Sequence, residues 1–444
     1  MEYVVAIIFY VACFGRPASF PALLRLSASS PVGCRVVQTM MEFPATRQSA
    51  LQRLDEFLED APHYAARRNH VLPGHPQVSR LSAAIRHRLI TEAEVVEAAL
   101  QKYPFRVVEK FLQEVLWRGY WKGWLERRPW VWDGYGASDA AMDPEVAAAC
   151  REVAAGRSPS GIMNHFASEL LETGYLHNHA RMWWASYWIH HCGLPWELGA
   201  RHFFRHLLDA DPASNTLGWR WVAGEQTRGK TYLATAQNIG KFCAPELLEQ
   251  AGGVGLDEHV VARAGQAGDP TVDDVKVFPE IPTEVEVPDP QRRVAVILHD
   301  EDLCLETSPA APQRPALVLQ FVPEPELPRS EPRAQWLDVA RADAAQRAGE
   351  HFGCEVRACR TPEEIIQACG AEKIASVFLM EPFVGPLRDQ LGDLPAELVR
   401  REISLVRLRR KWDSLLLPHA SRGFFPFWNK VGRMLAKSGA EGLS

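Results

Sequence analysis

The stretch from Gly174 to Trp221, GYLHNHARMWWASYWIHHCGLPWELGARHFFRHLLDADPASNTLGWRW, restricts the possible folds more than any other part of the chain. At helical spacing, Arg181, Met182, Trp183, Trp184, Tyr187, Trp188 and His191 put aromatics around most of one helix, so neighbouring elements must cover nearly all of its circumference. A second helix is expected from about Trp196 to Leu208, with Trp196, Phe203, Phe204 and Leu207 on its apolar side. The chain then turns through Asp209, Asp211 and Asn215 and returns with Trp219 and Trp221. Two acids and an amide beside buried aromatics require partners, because an unpaired buried carboxylate is costly. Arg181, one helix away, suits one acid. The other acid and the amide are left for a group with hydrogen-bond donors and a flat face. A Trp-rich helical core with a single salt bridge satisfies the same pattern.

The 444 residues allow two or three domains with cores of their own. A formal charge of −6 excludes a uniformly basic nucleic-acid binder and leaves room for a local basic stripe. The nine cysteines are odd in number and contain no C-x-x-C pair, which fits free thiols in a reducing, cytoplasmic setting and predicts neither a disulfide framework nor a metal site. The apolar run Tyr3–Phe14 is too short to span a bilayer and is preceded by Glu2, so no membrane segment is expected. Residues 1–40 read as an unstructured extension or a misplaced start, with a signal peptide as the alternative, because MEFPATRQSALQRLDEFL from Met41 resembles an ordinary protein start.

A helix is expected over Thr46–Leu58. The loop Asn69–Val78 follows, and Ser79 or Ser82 can cap the next helix. Between Arg106 and Arg128 there are six basic residues (Arg106, Lys110, Arg118, Lys122, Arg127, Arg128) against three acids, interleaved with aromatics. Such a strip is either a solvated helix face or a surface for a phosphate backbone. Residues 133–160 read as loop plus a short helix, Pro144–Ala155. Residues 266–290 are acidic, Pro-rich and without period, as in a linker. From Arg292 the strand-length runs RRVAVILHD, PALVLQFV, GCEVRAC and KIASVFLME alternate with helical segments at Gln335–Phe352 and Pro362–Cys369, which predicts a parallel α/β sheet without a G-x-G-x-x-G dinucleotide fingerprint. The basic run Arg400–Lys411 is expected to be helical.

Four linked elements, HNxxRM, PW, DxDxxxN and GWxW between His177 and Trp221, resemble the flavin-binding helical domain of the DNA photolyase and cryptochrome superfamily. The resemblance implies FAD as cofactor. It places Asn178, Arg181, Asp209, Asp211 and Asn215 around the isoalloxazine: Arg181 with Asp209 as the ion pair beside the ring, Asp211 as acceptor for a ring-edge N–H, and Asn215 facing the central nitrogen. Ser79-Arg80-Leu81-Ser82 is similar to the family's phosphate-binding loop, with Val78 for its Thr and Arg88 for its Gly. Tyr64 stands where the family has an aromatic near the flavin. Glu114-x-x-Trp117-Arg118 is similar to the helix that lines the flavin pocket, and Trp121, Met182 and Trp221 match the substrate cavity. Trp219 and Trp196 match the first two members of the electron-transfer chain. The distal Trp has no counterpart near Asp143, and Trp132, Trp183, Trp184 and Trp188 are its substitutes. In this chain Gly119 replaces a catalytic-site Glu, His179 an Arg and Asn164 an Asp. The cysteine pattern departs from the iron–sulfur branch of the superfamily.

The C-terminal half resembles the superfamily's antenna domain, normally N-terminal, with His299-Asp300-Glu301-Asp302-Leu303 in place of R-x-D-L-R. The expected architecture is therefore α plus α/β in circularly permuted order: a helical FAD-binding domain over 41–265, a linker over 266–290, and a Rossmann-like antenna domain over 291–444. The resemblance implies a blue-light-responsive flavoprotein, cryptochrome-like or with weak dimer repair. The alternative is an active deoxyribodipyrimidine photolyase, a carbon–carbon lyase driven by light. Expected partners are UV-damaged or single-stranded DNA and a signalling protein. The resemblance does not identify the antenna chromophore.

Overall fold

The aromatic stretch folds as the sequence requires, but with a local change of helical pitch. An α-helix over Asn178–Ser186 continues as a π-turn over Tyr187–His191, and the helices Trp196–His206 and Pro212–Ala223 follow. The computed structural model describes residues 43–135, 143–227, 230–262, 277–278, 280–284, 292–325 and 327–438. By contact the chain divides into Met1–Glu42 and Phe43–Ser444, and the second unit is described below. The expectation for residues 1–40 lies outside the described residues. Trp183, Trp184 and Trp188 are fully buried, in a core shared with Phe166, Phe203 and Trp219.

Upstream, capping boxes open two helices: Thr46 with Ser49 for Arg47–Asp60, and Thr91 with Glu94 for Glu92–Lys102. Neither Ser79 nor Ser82 caps the five-residue helix Ser82–Arg86. It starts from Leu81 without a side-chain cap, and the Ser79 hydroxyl accepts the Leu81 N–H at 3.4 Å. The loop is fixed from outside, since Arg53 donates to the carbonyls of Val78 and Ser79 at 3.2 and 3.0 Å.

The long helix Phe105–Glu126 corrects the reading of its charges. Of the six cations from Arg106 to Arg128, four of them on this helix, Arg106 and Lys110 are exposed, whereas Lys122 and Arg128 are buried and Arg118 and Arg127 half-buried. Arg118 and Lys122 continue the inward stripe Phe111–Val115–Leu125 at spacings of three and four, so helix geometry carries them to the core side. As a continuous strip it is therefore not on the surface: of the six cations, Arg106 and Lys110 alone are exposed.

In the C-terminal half five parallel strands form one sheet in the order β3-β2-β1-β4-β5: β1 Val294–His299, β2 Leu317–Phe321, β3 Glu355–Cys359, β4 Ser376–Met380 and β5 Ser404–Leu408. β1 is buried at every position, the pattern of a central strand covered on both faces. β5 overturns the expected helix over Arg400–Lys411. Ile403, Leu405, Val406 and Leu408 form a short strand-length apolar run, and pairing with β4 outweighs the charge of the flanking arginines. The sheet reverses its order between β1 and β4, the switch point of doubly wound folds.

A single apolar core runs from the long helix through β1, β4 and the C-terminal helix Phe424–Ser438. Just after β1, Glu301 and Asp302 reach across to the helical half, while Asp300 pairs within its own half. Asp300 receives Arg341 at 2.6 Å, Glu301 receives Arg86 at 2.9 Å, and Asp302 receives Arg410 at 2.7 Å and Arg88 at 3.2 Å. Arg88 also holds Asp413 at 2.7 Å. It does so from a left-handed backbone, φ 54°, a conformation that favours the glycine the resemblance expects there.

Candidate functional site

Two buried carboxylates sit at the bend between the helices Trp196–His206 and Pro212–Ala223. The Asp209 carboxylate receives Arg181 Nη1 at 3.1 and 3.0 Å, the ion pair expected from sequence, and Arg118 approaches it at 3.9 Å. Asp211 caps the following helix by accepting the Ser214 N–H at 2.7 Å through Oδ1. Its Oδ2 faces Arg86 Nε at 3.4 Å and Arg118 Nη1 at 3.5 Å, outside hydrogen-bond geometry. Burial alone would raise both acids. The cations reverse this: Arg181 and Arg118 hold Asp209 below the usual carboxylate range, and Arg86, Arg118 and Lys122 bring Asp211 down to about 2.

The arrangement is electrically paired but short of hydrogen bonds. Asp211 Oδ2, Arg86 Nη1, Arg118 Nη1 and Lys122 Nζ are all buried without a hydrogen-bond partner in the protein. Lys122 has Glu92 at 3.9 Å and the Phe383 ring at 4.3 Å, and burial lowers its pKa. Buried polar atoms are normally satisfied, so a convergent group of orphans marks a place for a polar ligand. A planar group offering both N–H donors and carbonyl acceptors matches this donor and acceptor set.

Ser82 joins the cluster, because its carbonyl accepts Arg118 Nη2 at 3.3 Å and its hydroxyl helps keep Asp209 charged. Most of the other residues expected at the site have contacts of their own. Asn178 is exposed at the first turn of its helix. Asn215 donates through Nδ2 to the Ala200 carbonyl at 2.8 Å. Leu81 is a core residue, Ser79 is half-buried, and Arg80 is half-buried with φ 57°. Glu114 takes Arg68 at 2.5 Å, and the Tyr64 ring packs edge-on against Phe111. Trp117 stacks on Phe424 at 3.7 Å between centroids and touches Trp121, while Trp221 stacks on Tyr232. Met182 is half-buried.

Trp219 is buried, with its ring 5.1 Å from Phe203, 6.2 Å from Trp184 and 6.4 Å from Trp188, and its Nε1 has no partner. Gly199 makes this packing possible, since a Cβ there would lie 2.2 Å from Trp219 Cη2. Trp196 is at the edge, donating to Glu225 at 3.1 Å. Trp183 packs on His179 at 4.4 Å, and Trp132 donates to Asp389 at 2.8 Å.

A cleft of about 420 Å³ opens at the carboxyl ends of the strands, between the sheet and the helices, lined by Trp132, Phe204, Arg86, Arg329, Arg333 and Pro386 among others. Arg333 is buried there with Nε unpartnered, and its Nη1 donates to the Phe204 carbonyl. Burial and then the neighbouring Arg329 and Arg86 push its pKa down to about 9.

Arg86 and Lys122 were not expected at the site from sequence, and Arg118 entered only as part of the motif on the helix that lines the flavin pocket. Helical phase offered a signal for two of them, because Arg118 and Lys122 fall on the apolar stripe of the long helix, and a cation there needs a buried acid. Arg86 carried no comparable signal. Among the described residues no helix is long and apolar enough to cross a membrane.

Residues 111–243 match the family described as the FAD binding domain of DNA photolyase. The chain is 29% identical over 192 residues to a deoxyribodipyrimidine photo-lyase of Neurospora crassa, covering 41% of this chain and 31% of that protein. It is 31% identical over 184 residues to one from Agrobacterium fabrum, covering 39% and 37%. The matches thus span less than half the length of these relatives. The solved structure of a bacterial class III photolyase from Agrobacterium tumefaciens aligns with a TM-score of 0.43 at 21% identity, covering 55% of this chain and 60% of that one.

Proposed function

We propose that the chain, whose residues 111–243 match the FAD binding domain of DNA photolyase, is a light-responsive flavoprotein of the photolyase and cryptochrome superfamily with weak or absent repair of pyrimidine dimers. The observation that carries the reading is the buried set around Asp211, whose unpartnered acceptor and donors suit a planar heterocycle. FAD, when bound, supplies light absorption and electron transfer. In this reading Arg181 and Asp209 set the charge beside the cofactor. Asp211 Oδ2 accepts a ring N–H, Arg118 and Arg86 hold that carboxylate ionised, and Asn215 offers its amide from the next turn. Trp219 is the electron relay, with Trp184 and Trp188 as its ring neighbours.

Against efficient repair stand Gly119, which offers no carboxylate, and His179, whose ring packs on Trp183 and Phe242 with Nδ1 2.8 Å from the Asn69 carbonyl. The repair reading keeps the half-buried Trp121, Met182 and Trp221 as remnants of a lesion cavity. The order of the halves, helical first and parallel α/β second, supports a circular permutation with the domain boundaries expected from sequence. The cleft at the strand ends is then the place for an anionic antenna pigment. The deciding experiment is reconstitution with FAD followed by absorption spectroscopy. The wild type is expected to retain yellow cofactor, and Arg181→Ala to lose it. A colourless wild type ends the reading.

A further inference from the structure

Four of the six cations expected on the strip from Arg106 to Arg128 are turned at least partly inward, and the unneutralised charge lies on the C-terminal helix beside the remaining two. The C-terminal helix Phe424–Ser438 contains Lys430, Arg433 and Lys437 and no acid, in a chain whose formal charge is −6. Its apolar side is fully used: Phe424, Phe427, Trp428, Val431 and Leu435 are buried in the shared core. Its outer side presents Lys430, Arg433 and Lys437 to solvent, with Arg422 just before the helix and the Phe425 ring 67% exposed.

The packing extends this face. Phe424 meets Trp117 and Tyr120, whereas Trp428, one turn on, stacks on Phe105 at 6.0 Å and donates to Glu109 at 3.4 Å. The two helices therefore run antiparallel. The basic end of the C-terminal helix lies toward the start of the long helix, where Arg106 and Lys110 are the two exposed cations. Among the described residues none of Arg106, Lys110, Arg422, Lys430, Arg433 and Lys437 has an ion-pair partner. Arg433 Nε goes to the Asn429 carbonyl and Lys110 to Gln113 Oε1. The single acid on this stretch of the long helix, Glu109, is turned to Trp428 and Gln113.

We propose that this face binds the phosphate backbone of single-stranded DNA, with Phe425 as a stacking residue at the aromatic end. A strand is favoured over a lipid surface because an amphipathic helix enters a membrane by its apolar side, and here that side is already buried in the protein. What remains is a row of cations along about 10 Å of helix, from Lys430 to Lys437, with an exposed ring, the combination that tracks a backbone and stacks a base. The buried side of this helix packs on Phe105, Glu109, Trp117 and Tyr120, and the proposed face is its opposite, outer side, which does not depend on FAD.

The test uses the full chain and a fluorescently labelled oligothymidylate, with anisotropy followed across a salt series. The wild type is expected to bind, and Lys430→Glu/Arg433→Glu/Lys437→Glu to bind at least about tenfold more weakly at about 0.1 M salt. The slope of log affinity against log salt should fall by about 2, from three lost contacts at about 0.7 each. Phe425→Ala should weaken binding and leave the slope unchanged. Circular dichroism and FAD content report whether the variants remain folded, and both are expected to match the wild type. The proposal is overturned by a wild type that fails to bind the oligonucleotide. It is equally overturned if the folded triple variant keeps its affinity and slope, or loses binding to anionic phosphatidylserine vesicles while oligonucleotide binding survives. A colourless protein that binds oligothymidylate through this face would end the flavoprotein reading and leave this one standing.

Discussion

Two buried sets of charges lie a few residues apart and are built differently. At the junction of the halves, Asp302 makes paired contacts to Arg410 at 2.8 and 2.7 Å, and Asp413 to Arg88 at 2.8 and 2.7 Å. Around Asp211 the cations stand at 3.4 and 3.5 Å, and polar atoms on each side go without hydrogen bonds. The first set leaves Arg88 Nε unpartnered but satisfies its carboxylates, whereas the second leaves Asp211 Oδ2, Arg86 Nη1, Arg118 Nη1 and Lys122 Nζ all unpartnered. Arg86 belongs to both, with Nη2 on Glu301 at 2.9 Å and Nε toward Asp211. A saturated network fixes geometry, whereas an unsaturated one keeps its polar groups available to a ligand.

From that contrast, the largest stability loss belongs to the junction. Arg88→Ala leaves Asp413 without its paired contact and Asp302 with one fewer, both buried, and is expected to cost about 3–5 kcal/mol. Urea denaturation of the variant measures it. A loss under about 1 kcal/mol would mean the junction is no more committed to structure than the site.

Asp211→Asn addresses the other set. Asn retains the helix cap and removes the charge, so the apoprotein should lose only about 1–2 kcal/mol. FAD affinity should fall by about 1.5–3 kcal/mol, roughly one to two decades, read by flavin absorbance after gel filtration. Equal stability losses at Arg88 and Asp211, with FAD retained, would erase the distinction.

These two predictions also show what was legible in the sequence. The Arg181–Asp209 pair could be read because HNxxRM and DxDxxxN are short patterns whose helices the aromatic periodicity already placed. The departures could not be interpreted singly. Arg88 stands for an expected glycine and Asp302 lies in the altered segment after β1, and each looked like damage to a motif until the fold put them 3.2 Å apart. Partners 214 residues apart in sequence leave no periodic trace. β5 was missed for a related reason. Its charged flanks dominate the local composition, and the edge strand is recognised only by its pairing with β4.

The acid limb of the pH profile belongs to both sets. Asp211, Asp300 and Asp302 all have folded values below the ordinary carboxylate range, so their stabilisation is complete above about pH 4 and is lost as pH falls through those folded values. Glu126 works in the opposite sense. It accepts the Val384 N–H at 2.6 Å across the junction, and burial pushes it up to about 7. Its contribution is complete below about pH 4.5 and is lost as pH rises through about 7. Glu126→Gln should therefore remove a decline on the order of 1–3 kcal/mol between about pH 5 and 8, followed by denaturation at several pH values. An unchanged profile would exclude Glu126 as the titrating group.

Smaller effects are expected within the site. Gly199→Ala places a methyl 2.2 Å from the Trp219 ring and must displace it, at a cost of about 1–3 kcal/mol. Photoreduction with an external reductant should slow if Trp219 is the relay. Unchanged photoreduction would pass that role to another aromatic.

Gly119→Glu is expected to change stability least and is the most informative about repair. Beyond its own helix backbone and chain neighbours, no heavy atom lies within 4 Å of the Cβ position, so the side chain starts without a clash, although the backbone there is buried. Replacing a helical glycine gains about 0.5–1 kcal/mol, which offsets part of the desolvation of the new carboxylate, and the net should lie within about 1 kcal/mol of zero. Arg118 precedes it directly, but its guanidinium lies toward Ser82, Asp209 and Asp211. Dimer-containing single-stranded oligonucleotides illuminated with the reduced protein then separate the alternatives. Turnover rising from near zero in the variant would mean that the missing carboxylate limited repair on an otherwise competent site. Rapid turnover by the wild type would show that the lesion is handled without it, and the site's open hydrogen bonds would then serve repair as well as the cofactor.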